Sequence, residues 1–208
     1  MLQHIGELLV AIEAILEREL LALRLENMRT LQSYGYSGLE LDSMDHGVLE
    51  VLCSAENGES FGWLLSFEEM FPDTLRKSLF VSTYSTFESF LTELCEDTQA
   101  RLKLTKSVRD YHGRGIRRAR DYLVNEAGGD VPSGNRWQTI LTYGKLRNCI
   151  VHCQGEIRKC AYSEFLMAFV ARNGHLVFEE MTGTVKLQRG FCEEVIENFE
   201  LFLTGIKV

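Results

Sequence analysis

The chain has 208 residues, 45% of them hydrophobic and 10% aromatic, which suffices for a sizeable core and excludes a disordered chain. Its net charge of -8 argues, as an average, against a polyanionic partner, and no apolar run reaches the roughly 18 residues of a membrane span. The stretch MLQHIGELLVAIEAILEREL carries Glu7, Glu13, Glu17 and Glu19 where a signal peptide is uninterrupted, so a soluble, cytoplasmic protein with no membrane partner is expected.

From Gln3 to about Gln32, apolar residues recur at Ile5, Leu8, Leu9, Ile12, Ile15, Leu16, Leu20, Leu23 and Met28, the period of one long amphipathic helix. SYGYSG ends it, and the stretch to Phe71 reads as irregular, with room for a short hairpin. Pro72 beside Asp73 marks the start of a second long helix, whose Leu75, Leu79, Phe80, Tyr84, Phe87, Phe90, Leu91 and Leu94 make it the central core element. Tyr84, Phe87 and Phe90 are read as core rather than base-stacking residues. LKLTKSVRDYHGRG is basic and turn-rich, and GIRRARDYLVNEAGG is a helix closed by Gly128 and Gly129. After Pro132, Ser133 and Gly134 a helix runs from about Asn135 to His152 and ends near Gly155. SEFLMAFVA is a short helix, HLVFEEM and TVKLQ form a small hairpin around Thr182 and Gly183, and a last helix spans about Arg189 to Phe202.

The net charge conceals a segregation. Residues 1–100 carry 5 Lys and Arg against 18 Asp and Glu, residues 101–160 carry 13 against 5, and residues 161–208 carry 4 against 7. The middle block is the electrostatic footprint a nucleic acid would need, and Arg114, Arg117, Arg118, Arg120 and Lys145 are its candidate RNA-binding residues. Six cysteines at irregular spacings read as reduced thiols, mostly small core residues. Cys149 and Cys153 flank His152, yet no second cysteine pair accompanies them, so zinc is disfavoured and no metal or other cofactor is expected.

The chemistry-bearing stretch is KLRNCIVHCQG. On a helix Asn148 and His152 share a face, whereas Arg147 lies about 140° round from His152 and needs its long side chain, or an unwound helix end, to reach the same phosphate. Histidine titrates near neutrality and serves either proton transfer of RNA cleavage, and arginine clamps phosphate bidentately. Without a carboxylate cluster of metal-ligand spacing, metal-independent chemistry is favoured over a Mg-dependent nuclease. Arg-x4-His arises by chance in roughly one chain in five of this length, and in roughly one in a hundred with Asn after the Arg.

LRNCIVH resembles the Arg-x4-6-His motif of the HEPN superfamily, and the order of helices around it, from LFVSTYSTFESFLTELC through GIRRARDYL to EEVIENFELFL, is similar to that family's layout over residues 73–205. The resemblance implies an all-α fold, an antiparallel helical bundle over 72–208; with the helical and irregular extension, 1–71, and the small β-hairpin near the C-terminus read above, a single domain is expected. It implies a metal-independent endoribonuclease with Arg147 and His152 as the catalytic pair, Asn148 supporting them, and a homodimer lining one cleft with two motifs. Glu88, an acidic residue on an aromatic helix, is a candidate to orient Arg147 or His152. Many prokaryotic members are toxins or anti-phage effectors, which makes an antitoxin or regulatory protein a candidate partner. One branch carries a Tyr two residues after the motif histidine; here that position is Gln154, so control by AMPylation there is not implied. Two other readings stand beside this one: a catalytically inactive module binding nucleotide or a partner protein, and a DNA-binding regulator built on GRGIRRARDYL.

Overall fold

A computed structural model describes residues 2–33 and 60–208. Among the described residues the fold is all-α with one small two-stranded antiparallel hairpin. Two compact units are distinguishable, residues 7–75 and residues 1–6 with 76–208.

Helix α1 spans Leu2–Ser33, most of it in the first of these units. Leu9, Glu13 and Leu16 are buried along one stripe at spacings of four and three, as the sequence period requires, but Ile15 is 51% exposed although it falls within the predicted apolar set. Helix α2 spans Ser60–Leu102, so residues 60–71 are helical rather than irregular and Pro72 lies inside the helix instead of opening it. Proline's fixed φ is itself helical; an interior position forfeits one backbone hydrogen bond at about 3 kcal/mol, and the ring of Pro72 is buried, which offsets part of that. The hairpin entertained between Gly35 and Phe71 falls partly on residues 34–59, outside the described residues.

The second unit is built on the C-terminal part of α2. Phe80, Tyr84, Phe87, Leu91, Cys95 and Thr98 are buried at steps of three and four. Against them pack α3 (Gly115–Asn125), α4 (Gly134–Cys153) and α6 (Phe191–Thr204), with α5 (Ser163–Val170) and the hairpin β1 (Leu176–Glu179) and β2 (Thr184–Leu187) following α4. The core is an aromatic cluster: Phe87 stacks on Phe199 with centroids 4.0 Å apart, Phe80 meets Tyr143 and Phe191 edge-on, and Trp137 lies on Phe202. Burying each such side chain contributes about 1.5–3 kcal/mol, and the edge-on pairs add specificity of angle. Tyr143 is fully buried, so its hydroxyl needs a partner: it donates to Glu194 at 2.8 Å and accepts from Asn198 at 3.1 Å. Burial, then the Glu194 carboxylate, raises the Tyr143 pKa far above a phenol's ordinary value.

The end of α4 decides where the motif stands. Gln154 adopts a left-handed conformation (φ 55°) and Gly155 follows at φ 79°, with the Gly155 N–H returning to the Cys149 carbonyl at 3.2 Å. The chain then reverses through a short 3-10 turn, Ile157–Lys159, and the Ile157 N–H donates to the Gly183 carbonyl at the hairpin. This reversal brings Cys160 back to α4, where a disulfide joins it to Cys149. The expectation of six reduced thiols is therefore corrected; spacing along the chain carries no signal of a pairing created by a turn. Among the described cysteines Cys95 and Cys153 are outside the disulfide, and the Cys192 thiol donates to the Arg76 carbonyl at 3.5 Å.

Candidate functional site

Helix α4 presents Leu141, Gly144, Lys145 and Asn148 at steps of three and four, one stripe of a helix surface. Tyr84 and Glu88 on α2, and Arg114 to Arg117 at the start of α3, face that stripe, and together they enclose a cavity of about 480 Å³. Arg147 and Tyr162 complete its lining. Pockets of about 300–1,000 Å³ hold one small ligand or one unit of a larger one.

Two glycines let the walls approach. At Gly144 a Cβ would stand 2.6 Å from the Tyr84 hydroxyl, and at Gly115, which has φ +57°, it would collide with the Glu88 carboxylate. Tyr84 and Glu88 thus lean directly on the α4 and α3 backbones. Burial raises the Tyr84 pKa well above the ordinary phenol value; the nearby Glu88 charge adds to this and Arg147 and Arg117 oppose it. The Lys145 ammonium lies 3.6 Å from the Phe165 ring centroid and 5.1 Å from that of Tyr162, and burial with the neighbouring Arg117 lowers its pKa.

The lining carries four cations, Arg114, Arg117, Lys145 and Arg147, against the single carboxylate of Glu88. In a chain of net charge -8 this is a concentrated positive site. Arg147 lies off the stripe, on the side of Gly144, and reaches the cavity through its side chain, with Nη1 donating to Asn148 Oδ1 at 3.0 Å. Its Nε is buried and meets no acceptor among the described residues.

The structure gathers Arg147, Asn148, Glu88, Arg114, Arg117 and Lys145 at this cavity and leaves three of the predicted residues outside its lining. His152 is exposed on the same α4 stripe, four residues and about 6 Å of helix rise beyond Asn148. The helix stays wound to Cys153, so unwinding does not bring His152 and Arg147 together, and Asn148 holds Arg147 rather than the imidazole. Arg118 and Arg120 lie on other faces of α3, and the Arg120 guanidinium stacks 5.1 Å over Trp137. The disulfide occupies Cys149, so its sulfur is no thiolate for a metal. Tyr84, Gly115, Gly144 and Tyr162 were not foreseen as part of a site. Tyr84 reads from sequence as core, and it is 6% exposed while its hydroxyl edges the cavity. No protein-family model, curated protein or solved structure matches the chain.

Proposed function

We propose that the chain is a metal-independent endoribonuclease of HEPN type that holds an RNA phosphate in the α2–α3–α4 cavity. The observation that carries this reading is the cavity itself: three other cations, Arg114, Arg117 and Lys145, line it together with Arg147, whose guanidinium is already oriented by Asn148. One carboxylate among four cations is a poor cage for a divalent metal, which needs several oxygen ligands.

In this reading Arg147 neutralises the phosphate while a neutral His152 takes the proton of the 2'-hydroxyl. The 2'-oxygen forms its bond to phosphorus, the bond to the 5'-oxygen breaks, and a protonated imidazole returns a proton to that leaving oxygen. The products are a 2',3'-cyclic phosphate and a 5'-hydroxyl. Because His152 lies outside the cavity lining of its own chain, the proposal includes a homodimer in which the partner's His152 serves the site. A cytoplasmic toxin or anti-phage effector, restrained by an antitoxin or other regulatory protein, is the proposed biological setting. No helix among the described residues is long and apolar enough to cross a membrane.

The test is digestion of total RNA in EDTA by the wild type, Arg147→Ala and His152→Ala. Cleavage confined to the wild type, with 5'-hydroxyl ends that accept kinase labelling without phosphatase, is expected. Wild-type protein indistinguishable from both variants overturns it. The position of His152 favours one second reading, a catalytically silent module binding nucleotide or a protein partner; RNA bound through Arg147 but never cut would select it.

A further inference from the structure

Two large aromatic side chains stand open beside the cationic cavity. Tyr162, which lines the cavity, is 52% exposed, and Phe165, one turn further along at the start of α5, is 45% exposed. Single exposed apolar residues are ordinary on a protein surface, but these two share a neighbour. The Lys145 ammonium lies over both rings, closest to Phe165, and Lys145 itself lines the cavity. With Lys145 over one face of each ring, about half of each residue still remains exposed.

A phosphate alone would require only the arginines. A double helix would present phosphates but hide the faces of its bases. Cations following the backbone with exposed aromatic rings beside them are the pairing that single-stranded nucleic acid uses, because every unpaired base has a π-face to stack. The cavity volume, about 480 Å³, accommodates one nucleotide unit rather than a duplex.

We infer that Tyr162 and Phe165 form a stacking platform for the base of an unpaired nucleotide whose phosphate lies against Arg147, so that the site selects single-stranded RNA or loops over duplex RNA. The inference rests on the ribonuclease reading for its ligand class and adds the structural form of the substrate. Lys145 is a positioning residue here: its ammonium fixes both rings and faces the same strand's phosphates. The disulfide-braced reversal after α4 holds the platform in place, since Cys160 lies two residues before Tyr162.

The experiment measures binding of a fluorescent single-stranded RNA 12-mer, and of the same sequence as a duplex, to the full chain carrying His152→Ala so that no strand is cut. Tyr162→Ala, Phe165→Ala, their combination, Tyr162→Phe and Arg147→Ala are compared, with thermal unfolding to confirm that each folds. Expected is a preference for the single strand, a loss of about 5- to 150-fold for each ring removed, little loss in Tyr162→Phe, and an unchanged weak affinity for the duplex. Single-strand binding that depends on Arg147 but survives removal of both rings overturns the platform and leaves the RNA site standing. Equal or tighter binding of the duplex by the parent protein overturns it as well. RNA binding absent, or indifferent to Arg147, overturns the RNA reading and the platform with it.

Discussion

Replacing Gly144 by alanine probes the closest approach in the cavity wall. A Cβ there meets the Tyr84 hydroxyl at 2.6 Å and its ring carbon Cζ at 3.3 Å, roughly 1 Å short of ordinary van der Waals contact at the oxygen. Tyr84 is buried and leans on Phe199 with centroids 5.9 Å apart, so it has little room to retreat. Overpacking of this kind costs about 1–3 kcal/mol, and alanine returns about 0.5–1 kcal/mol by favouring the helix. The net loss is about 0–2.5 kcal/mol, centred near 1.3 kcal/mol, which for a chain of 150–250 residues lowers Tm by about 3–5 °C at the centre. The atom being struck is the hydroxyl, and Tyr84→Phe deletes it. The double variant Gly144→Ala with Tyr84→Phe should therefore recover at least half of the loss, a coupling of about 1 kcal/mol in a double-mutant cycle. Calorimetric unfolding of the four proteins decides it. A Gly144→Ala protein more stable than wild type, or two substitutions whose effects simply add, would refute the claimed contact.

Reduction of the Cys149–Cys160 bond, which closes a loop of sequence separation 11, should cost about 2.8 kcal/mol; a reducing agent should lower the Tm of wild type and leave that of Cys160→Ser unmoved. Glu88→Gln removes the one carboxylate from the cavity lining and should tighten RNA binding several-fold at low salt, an advantage that shrinks as salt rises; weaker binding would mean that Glu88 organises the arginines instead. Burial pushes the Cys95 thiol up to about 12 and raises Tyr84 and Tyr143 as well, so these groups keep their protons in the folded state. Their contribution is whole below the ordinary values of about 8.5 and 10 and is lost as pH climbs towards the folded ones, so stability should fall above about pH 9, with a shallower slope in Tyr143→Phe.

The helices were legible wherever period and punctuation agreed. The stripe from Phe80 to Leu91, the stop near Gly155, and the hairpin around Gly183 each follow from local rules. Pro72 misled because a proline at a helix start and one tolerated inside a helix look alike until the preceding turn is known to be helical. Within the site, residue types were legible and partition between faces was not. Arg114, Arg117, Arg118 and Arg120 are equivalent in sequence, but only the first two line the cavity, since that depends on which side of α3 packs against α2. Tyr162 was out of reach for another reason. It arrives beside Lys145 only because the chain reverses after Cys153, and a single exposed tyrosine in a sequence announces nothing.

The motif helix explains why a second copy is proposed and how to detect one. Along α4, Leu141, Lys145, Asn148 and His152 lie on a single stripe, so His152 extends the cavity face past its rim rather than turning away from it. In one chain the imidazole is left on exposed surface beyond the site it would serve. A two-fold axis near the end of α4 would place each chain's His152 over the other's rim, and Arg147 and His152 acting on one phosphate would then come from different chains. Arg147→Ala and His152→Ala proteins should each be inactive alone, and mixing them should restore cleavage, because about half of randomly paired dimers carry one intact Arg147 facing one intact His152. Activity in the mixture should rise with the fraction of heterodimer measured by native mass spectrometry. Heterodimers that form and stay inactive would break the link between the two residues, and a protein that remains monomeric while cleaving RNA would place both roles within one chain.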